Sequence, residues 1–321
     1  MFAIDFLLNA EPWIEYTVRV NHLNEEKSTL ASLRALTLQD DRIQAYLRDI
    51  NDFHSTVVST HKNPDLSVNK LIFLLELGLD RDVPEIDAAI NAILCNKDNN
   101  GVYLSQVNIP KHFGGSGENT FGWCLCDAPH LAYALLKAGV EYDGQIKQGV
   151  DYLASLIREN GYPCAVSQQF GKFRGPGRKD DCCPYATLLM LKLFSQIPEY
   201  KESDQANVCI ETLLNLWEAS REQHPYMFYM GTDFRKLKAP VIWYDVLHVV
   251  DVLSQFSYAV NDKRFLEMIA IIKSKMDDEG CFTPESIYLK CKGFDFGQKK
   301  TPSAYLTYRC ALVLKRCGLE S

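Results

Sequence analysis

Four apolar stretches, HLAYALLKAG (130–139), YATLLMLKLF (185–194), HVVDVLSQF (248–256) and YLTYRCALVLKR (305–316), begin 55, 63 and 57 residues apart and decide the fold. A recurring period of this kind marks a repeat architecture built from one supersecondary unit. Carried backwards, the spacing reaches KLIFLLELG (70–78) and then PWIEYTVRVNHL (12–23), which makes six units. A second landmark keeps the register. Asn-Asn-Gly, Glu-Asn-Gly and Asp-Glu-Gly end at Gly101, Gly161 and Gly280, 60 and then 119 residues apart.

Each unit carries two helical patterns. The first is apolar almost all round, as in CCPYATLLMLKLF (182–194), and this predicts a helix buried on most faces. The second is amphipathic: VPEIDAAINAIL (83–94), GQIKQGVDYLASLI (144–157), VCIETLLNLW (208–217) and RFLEMIAIIKSKM (264–276) place apolar residues at i, i+3, i+4 and i+7. Gly beyond the second helix reads as a left-handed cap, and Pro or Asp near the start of several first helices as an N-terminal signal. No stretch sustains the period-2 alternation of a strand. The chain is predicted to be all-α, with buried helices forming an inner ring and amphipathic helices an outer one. Six such pairs close into an α/α toroid; an open solenoid of helix pairs is the alternative. No Gly/Ser/Pro-rich linker interrupts the 321 residues, so residues 1–321 read as one domain, with residues 1–66 weakly periodic and the repeats clear over 67–318.

Composition narrows the class. With 47% hydrophobic residues the chain has ample material for a core, and no run approaches the roughly 18 apolar residues of a membrane span. Lys and Arg number 34 against 41 Asp and Glu, a net charge of −7 that argues against broad nucleic-acid binding. The opening MFAIDFLLNAEP lacks a basic start and makes a poor signal peptide. Eleven cysteines without such a signal read as reduced thiols in a cytoplasmic protein.

In a toroid all inner helices begin at one mouth, so their lead-ins converge. These read CLCDAPH (124–130), DDCCPY (180–185), WYDVLH (243–248) and TPSAY (301–305). Thiolate, imidazole and carboxylate are the ligands zinc selects, and an Asp-x-x-His pair puts both side chains on one helical face. Taken singly, each Cys is equally a small core residue and each His a hydrogen-bonded one. The loops entering this mouth are basic: Lys172, Arg174, Arg178 and Lys179, then Arg235, Lys236 and Lys238, then Lys290, Lys292, Lys299 and Lys300. Beside helix N-termini they suit a phosphate or diphosphate. Aromatic residues in the same segments, among them Tyr185, Tyr226, Trp243, Tyr244, Phe294 and Tyr305, suit a long apolar ligand.

On these residues the sequence resembles the terpenoid cyclase/protein prenyltransferase superfamily of α/α toroids over about residues 60–318, nearest the β subunit of protein prenyltransferases. The resemblance implies a catalytic zinc held by Asp181 and Cys183 of an Asp-x-Cys and by His248 of the Asp245–His248 pair. It implies diphosphate binding by Arg174, Arg178 and Lys179, with Asp245 orienting His248 and with Tyr185, Trp243, Tyr244 and Tyr305 around the prenyl chain. Two departures stand out. Pro184 separates the Asp-x-Cys from Tyr185, which brings in Cys182 as an alternate ligand, and Cys126, Asp127 and His130 form an additional cluster. The cyclase branch's Asp-x-Asp-Asp motif is missing.

The leading expectation is therefore a zinc-dependent prenyltransferase-like enzyme, taking an isoprenoid diphosphate or a similar apolar anionic molecule and passing the prenyl group to a thiol acceptor, with a protein partner or peptide acceptor also in view. The alternatives are a metal-assisted lyase or hydrolase or a terpene cyclase using Cys126, Asp127 and His130, and a non-catalytic toroid that binds a lipid or peptide. Fold alone does not choose among them.

Overall fold

The computed structural model describes residues 3–319 except Lys172, Arg174, Pro176 and Tyr226. Among the described residues there are fifteen α-helices and one two-stranded sheet. In chain order the helices are α1 (Ile4–Leu8), α2 (Pro12–Asn21), α3 (Ala31–Gln39), α4 (Asp41–Asn51), α5 (Ser67–Glu76), α6 (Pro84–Leu94), α7 (Ala128–Lys137), α8 (Lys147–Ala154), α9 (Pro184–Phe194), α10 (Pro198–Lys201), α11 (Asp204–Ala219), α12 (Val246–Leu253), α13 (Ser257–Val260), α14 (Lys263–Lys273) and α15 (Ala304–Arg316).

Helices α2, α5, α7, α9, α12 and α15 form the inner ring. Neighbours pack side by side from α5 through α7, α9 and α12 to α15, and α15 returns to α2. The last gap, from α2 to α5, is closed by hydrogen bonds from Thr17 and Asn21 to the Glu76 carbonyl, at 3.3 and 3.1 Å. Rings of Trp13, Phe73, Phe294, Phe296 and Tyr305 pack at this seam, with centroids 5.0–6.4 Å apart. Outside, α4 covers α5, α8 covers α7, α11 covers α9, and α14 covers α12. The fold is the α/α toroid that the 60-residue period predicts. Every residue of α9 is buried, as expected for an inner helix, whereas in α14 burial is confined to Phe265, Met268, Ile269 and Ile272 on one face.

Local chemistry sets the ends. Pro opens α2, α6 and α9, where its missing N–H has no intrahelical partner to lose. The side chains of Asp40, Ser203, Asp245, Asp262 and Ser303 accept backbone N–H bonds as N-caps, each contributing about 1 kcal/mol.

Three features differ from the sequence reading. Gly101, Gly161 and Gly280 do take left-handed conformations, φ +80°, +98° and +80°, but they lie seven residues past the ends of α6, α8 and α14. There they turn the chain back so that Tyr103, Tyr162 and Phe282 enter the core. Asp98 and Asp277 serve this turn identically, each accepting the amides two and four residues on. Second, the polar stretch 24–66 holds an ordinary outer helix, α4, whose buried Ile43, Leu47 and Ile50 are diluted by charge on its other faces. Third, residues Ser105–Asn108 and Asn119–Gly122 pair as an antiparallel hairpin before α7. No helix among the described residues is long and apolar enough to cross a membrane.

Candidate functional site

The inner helices bring their lead-ins together around Tyr185. Its ring lies 4.4 Å from Trp243 and 6.3, 6.4 and 6.5 Å from the rings of His130, His61 and His248. Its hydroxyl donates to the Ile242 carbonyl at 2.9 Å, pinning the segment Pro240–Ile242 across the mouth. Beneath that segment lies a void of about 10 Å³ lined by Asn69, Phe73, Glu76, His130, Lys192 and Tyr305, at the limit of room for one water.

Two Asp-x-x-His units, 118 residues apart, each begin an inner helix, but their carboxyls bond differently. Asp245 caps α12, its Oδ1 accepting the His248 amide at 2.9 Å. Asp127 precedes α7, and one of its oxygens accepts the Cys124 amide at 2.8 Å. Both carboxyls are buried, 2% and 7% exposed for Asp127 and Asp245. Burial outweighs the amide donors and pushes each up to about 7. The two imidazoles are driven the other way. Burial and then the Lys192 charge take His130 well below the ordinary histidine value and His248 to about 3. His248 keeps Nδ1 on the Trp243 carbonyl at 2.9 Å. Asp127 Oδ2 and the Nε2 atoms of His61, His130 and His248 have no hydrogen-bond partner among the described residues.

A second layer lies below. Glu76 of α5 receives Lys192 of α9 at 2.9 Å, Arg309 of α15 at 2.5 Å and the Tyr133 hydroxyl of α7 at 3.0 Å. Asp251 of α12 receives Arg309 and Arg316, both at 2.9 Å. Burial alone would raise the Glu76 carboxyl, but Lys192 and Arg309 override it and hold it well below its usual range.

The residues expected at a zinc centre do not assemble into one. The Asp181 carboxylate turns back to accept the Arg178 amide at 2.8 Å. Cys183 is the N-cap residue of α9, makes no side-chain cap hydrogen bond, and has the Cys126 thiol as an electrostatic neighbour. That thiol, and after it the amides facing the helix start, hold Cys183 below the ordinary thiol value, while Cys126 is raised. Burial pushes Cys182 up to about 12. Among the described residues no three His, Cys, Asp or Glu side chains are placed to hold a metal ion. Arg178 and Lys179 are exposed on the loop ahead of α9. Arg174, together with Lys172 and Tyr226, lies outside the described residues. Trp243 stacks on Tyr185 and carries the Lys62 ammonium 4.7 Å from its ring, and Tyr244 packs edge-on to Phe228 with its hydroxyl unbonded. Tyr305 belongs to the aromatic seam.

No family model matches the chain, and no curated protein matches it. Among solved structures it is similar to an unsaturated glucuronyl hydrolase specific for heparin, over 99% of this chain and 89% of that one, at 15% identity and a TM-score of 0.49. That protein is a hydrolase. Zinc-dependent prenyl transfer, the expectation drawn from the sequence resemblance, is corrected on the chain's own geometry, since no three of the candidate donors among the described residues are placed to hold a metal ion. The metal-binding, zinc and isoprenoid assignments rested on donors that point elsewhere, and on a cavity that aromatic packing and the Pro240–Ile242 segment have filled. An isoprenoid tail needs a pocket of roughly 300 Å³ or more.

His61 and the Glu76–Lys192–Arg309–Asp251 layer were not singled out from the sequence. His61 stands in the lead-in to α5 and could have been found by reading the mouth positions of that unit as well. The ion layer shows as charged residues set within four largely apolar repeats: Glu76, Lys192, Asp251 and Arg309.

Proposed function

We propose that this protein is an acid–base enzyme of the hydrolase or lyase class, with Asp127 and Asp245 as its proton-transfer groups. The observation that carries the reading is the duplicated Asp-x-x-His unit: two buried carboxyls titrating at about 7, each followed one turn on by a neutral imidazole, both imidazoles facing one tyrosine. A group that titrates near the working pH can both give and take a proton, which is the requirement for general acid–base catalysis. Carboxyls raised by burial are how a fold keeps an acid protonated at neutral pH. His130 and His248, neutral and with Nε2 unbonded, are placed to accept a hydrogen bond from a substrate hydroxyl or to position a water. Substrate reaches them by displacing Pro240–Ile242 from the mouth, and Lys62 and Lys238 beside that segment favour an anionic group on the substrate.

The test has two parts. Carbon-13 NMR of aspartate-labelled protein reads the two carboxyls directly, with Asp127→Asn and Asp245→Asn giving the assignments. Two resonances titrating near pH 7 are expected. A panel of 4-nitrophenyl glycosides, uronides and esters, together with unsaturated uronides, then supplies turnover that either Asn variant should lower at least about 100-fold. Carboxyls titrating near 4, or turnover unaffected by both substitutions, would refute the assignment.

A further inference from the structure

A cavity of about 290 Å³ opens on the outer ring between α11 and α14, and it shares no lining residue with the void beneath Pro240–Ile242. Trp217 and Glu218 line it from the end of α11, Arg221 from just beyond, Arg235 from the loop ahead of α12, and Lys263 and Glu267 from α14. Arg264 also borders it, but its guanidinium is taken up by Asp262, Asn215 and Glu211 at 2.6–3.1 Å, so it ties α14 to α11 and serves as a wall. Glu267 is engaged as well, accepting the Trp217 indole N–H at 3.1 Å with the Lys263 ammonium 3.8 Å away.

Arg235 is different. The sequence groups it with Lys236 and Lys238 in one basic run, but the three diverge. Lys236 pairs with Asp233, Lys238 lies over the Tyr288 ring, and the Arg235 guanidinium sits 4.9 Å from the Trp217 ring. Its side chain has no hydrogen bond or ion pair among the described residues, and its Nε is buried without a partner. With Arg264 neutralised by its own acids, three cations (Arg221, Arg235 and Lys263) share the cavity with two carboxylates (Glu218 and Glu267), an excess of one positive charge. A guanidinium held against an indole is oriented before any ligand arrives, and its planar fork matches the oxygens of a carboxylate or phosphate. Orientation in advance lowers the ordering cost of binding.

We propose that this cavity binds a small molecule through an oxyanion, a phosphate monoester or a carboxylate, with Arg235 as the anchor and Arg221 and Lys263 as the flanking charges. The ligand's oxygens supply the acceptors that the Arg235 fork lacks. The volume stands at the lower edge of small-molecule sites, which suits a metabolite-sized ligand better than a bare ion. The site is independent of the acid–base chemistry assigned to the mouth.

The experiment is isothermal titration calorimetry of the full chain with glucose 6-phosphate, inorganic phosphate and succinate, at one fixed ionic strength. Saturable binding of one ligand per chain is expected, with Kd below about 1 mM for the best of the three. Tightest binding of the sugar phosphate supports the site as a phosphate-ester site, and tightest binding of succinate supports it as a carboxylate site. Arg235→Ala should weaken that ligand at least about tenfold, and Arg235→Lys, which keeps the charge without the fork, by a similar factor. Lys263→Glu should weaken it too, while Arg178→Ala, which removes an exposed cation from the loop ahead of α9, should not. In the wild-type chain, the arginine Nε–H NMR signal that disappears in Arg235→Ala should shift with the same saturation curve. Circular dichroism checks that each variant is folded. Absence of saturable binding by all three probes, affinity unchanged in Arg235→Ala, or an equal loss in Arg178→Ala would overturn the proposal.

Discussion

Replacing Glu76 with Gln tests whether the ion layer holds the ring together. Glu76 accepts Lys192, Arg309 and Tyr133, and its two cationic partners are 3% and 5% exposed at the side chain. The substitution keeps shape and removes charge. Arg309 retains Asp251 at 2.9 Å, but the Lys192 ammonium is left against the Tyr133 ring, 4.5 Å away. Removing one partner of a buried pair strands the other charge and costs about 3–5 kcal/mol. With an unfolding entropy of about 2.1 cal/mol/K per residue, 321 residues give about 0.67 kcal/mol/K, so the melting temperature should fall by about 4–8 °C. The assay is calorimetry or circular dichroism at pH 7, run beside Lys192→Met and the double variant. In the double variant no charge is stranded, and most of the loss should return. The pH dependence carries a sign. Because the folded-state carboxyl lies well below its unfolded value of 4.5, its contribution is complete above about pH 4.5 and is lost only as pH falls through the folded value. A loss under about 1 kcal/mol for Glu76→Gln, or a double variant as unstable as the sum of the singles, would refute the reasoning.

Two further outcomes follow from the mouth. Asp127→Asn and Asp245→Asn should each stabilise the protein at pH 8. A carboxyl raised from 3.8 to about 7 favours folding fully only below 3.8 and loses that favour, up to about 4 kcal/mol, as pH rises through 7. Denaturant melts at pH 8 and pH 3.5 check this, with the gain expected at the first and gone at the second; equal gains would sink it. Tyr185→Phe removes the hydrogen bond to the Ile242 carbonyl, a loss of about 1 kcal/mol. Hydrogen exchange should then quicken about fivefold in residues 240–243 and not in α9 itself, whereas unchanged exchange there would mean the hydroxyl does not hold the mouth shut.

The fold was legible because burial repeats. Six helices of near-continuous apolar sequence can satisfy themselves only by facing one another, and the 60-residue period says how they are ordered. The mouth was legible as a place for the same reason, since Asp127, His130, Tyr185, Asp245 and His248 occupy equivalent offsets. Its chemistry was not. Asp-x-Cys and Asp-x-x-His spacings constrain helical faces, but nothing in them says that Asp181 folds back onto the Arg178 amide, or that the Tyr185 hydroxyl bonds the Ile242 carbonyl. Those partners come from loops whose paths the period does not set. The aromatic residues misled in the same way: Phe294 and Tyr305 carry the composition of a lipid pocket and the geometry of a closed seam.

The two axial layers differ in a way that packing alone does not explain. In the lower layer the Glu76 and Asp251 carboxylates each take at least two cationic donors. In the upper layer Asp127 Oδ2 and the Nε2 atoms of His61, His130 and His248 are buried and unbonded among the described residues, the three imidazoles 6.3–6.5 Å from the Tyr185 ring. A buried polar atom left without any partner costs about 1–3 kcal/mol. A whole domain retains only about 5–15 kcal/mol of net stability. Most of the remaining inner-helix positions are filled instead by leucine, valine, alanine and aromatic residues. Unbonded imidazole nitrogens facing one tyrosine, beside two carboxyls raised toward neutrality, suit the proton transfers proposed for this mouth.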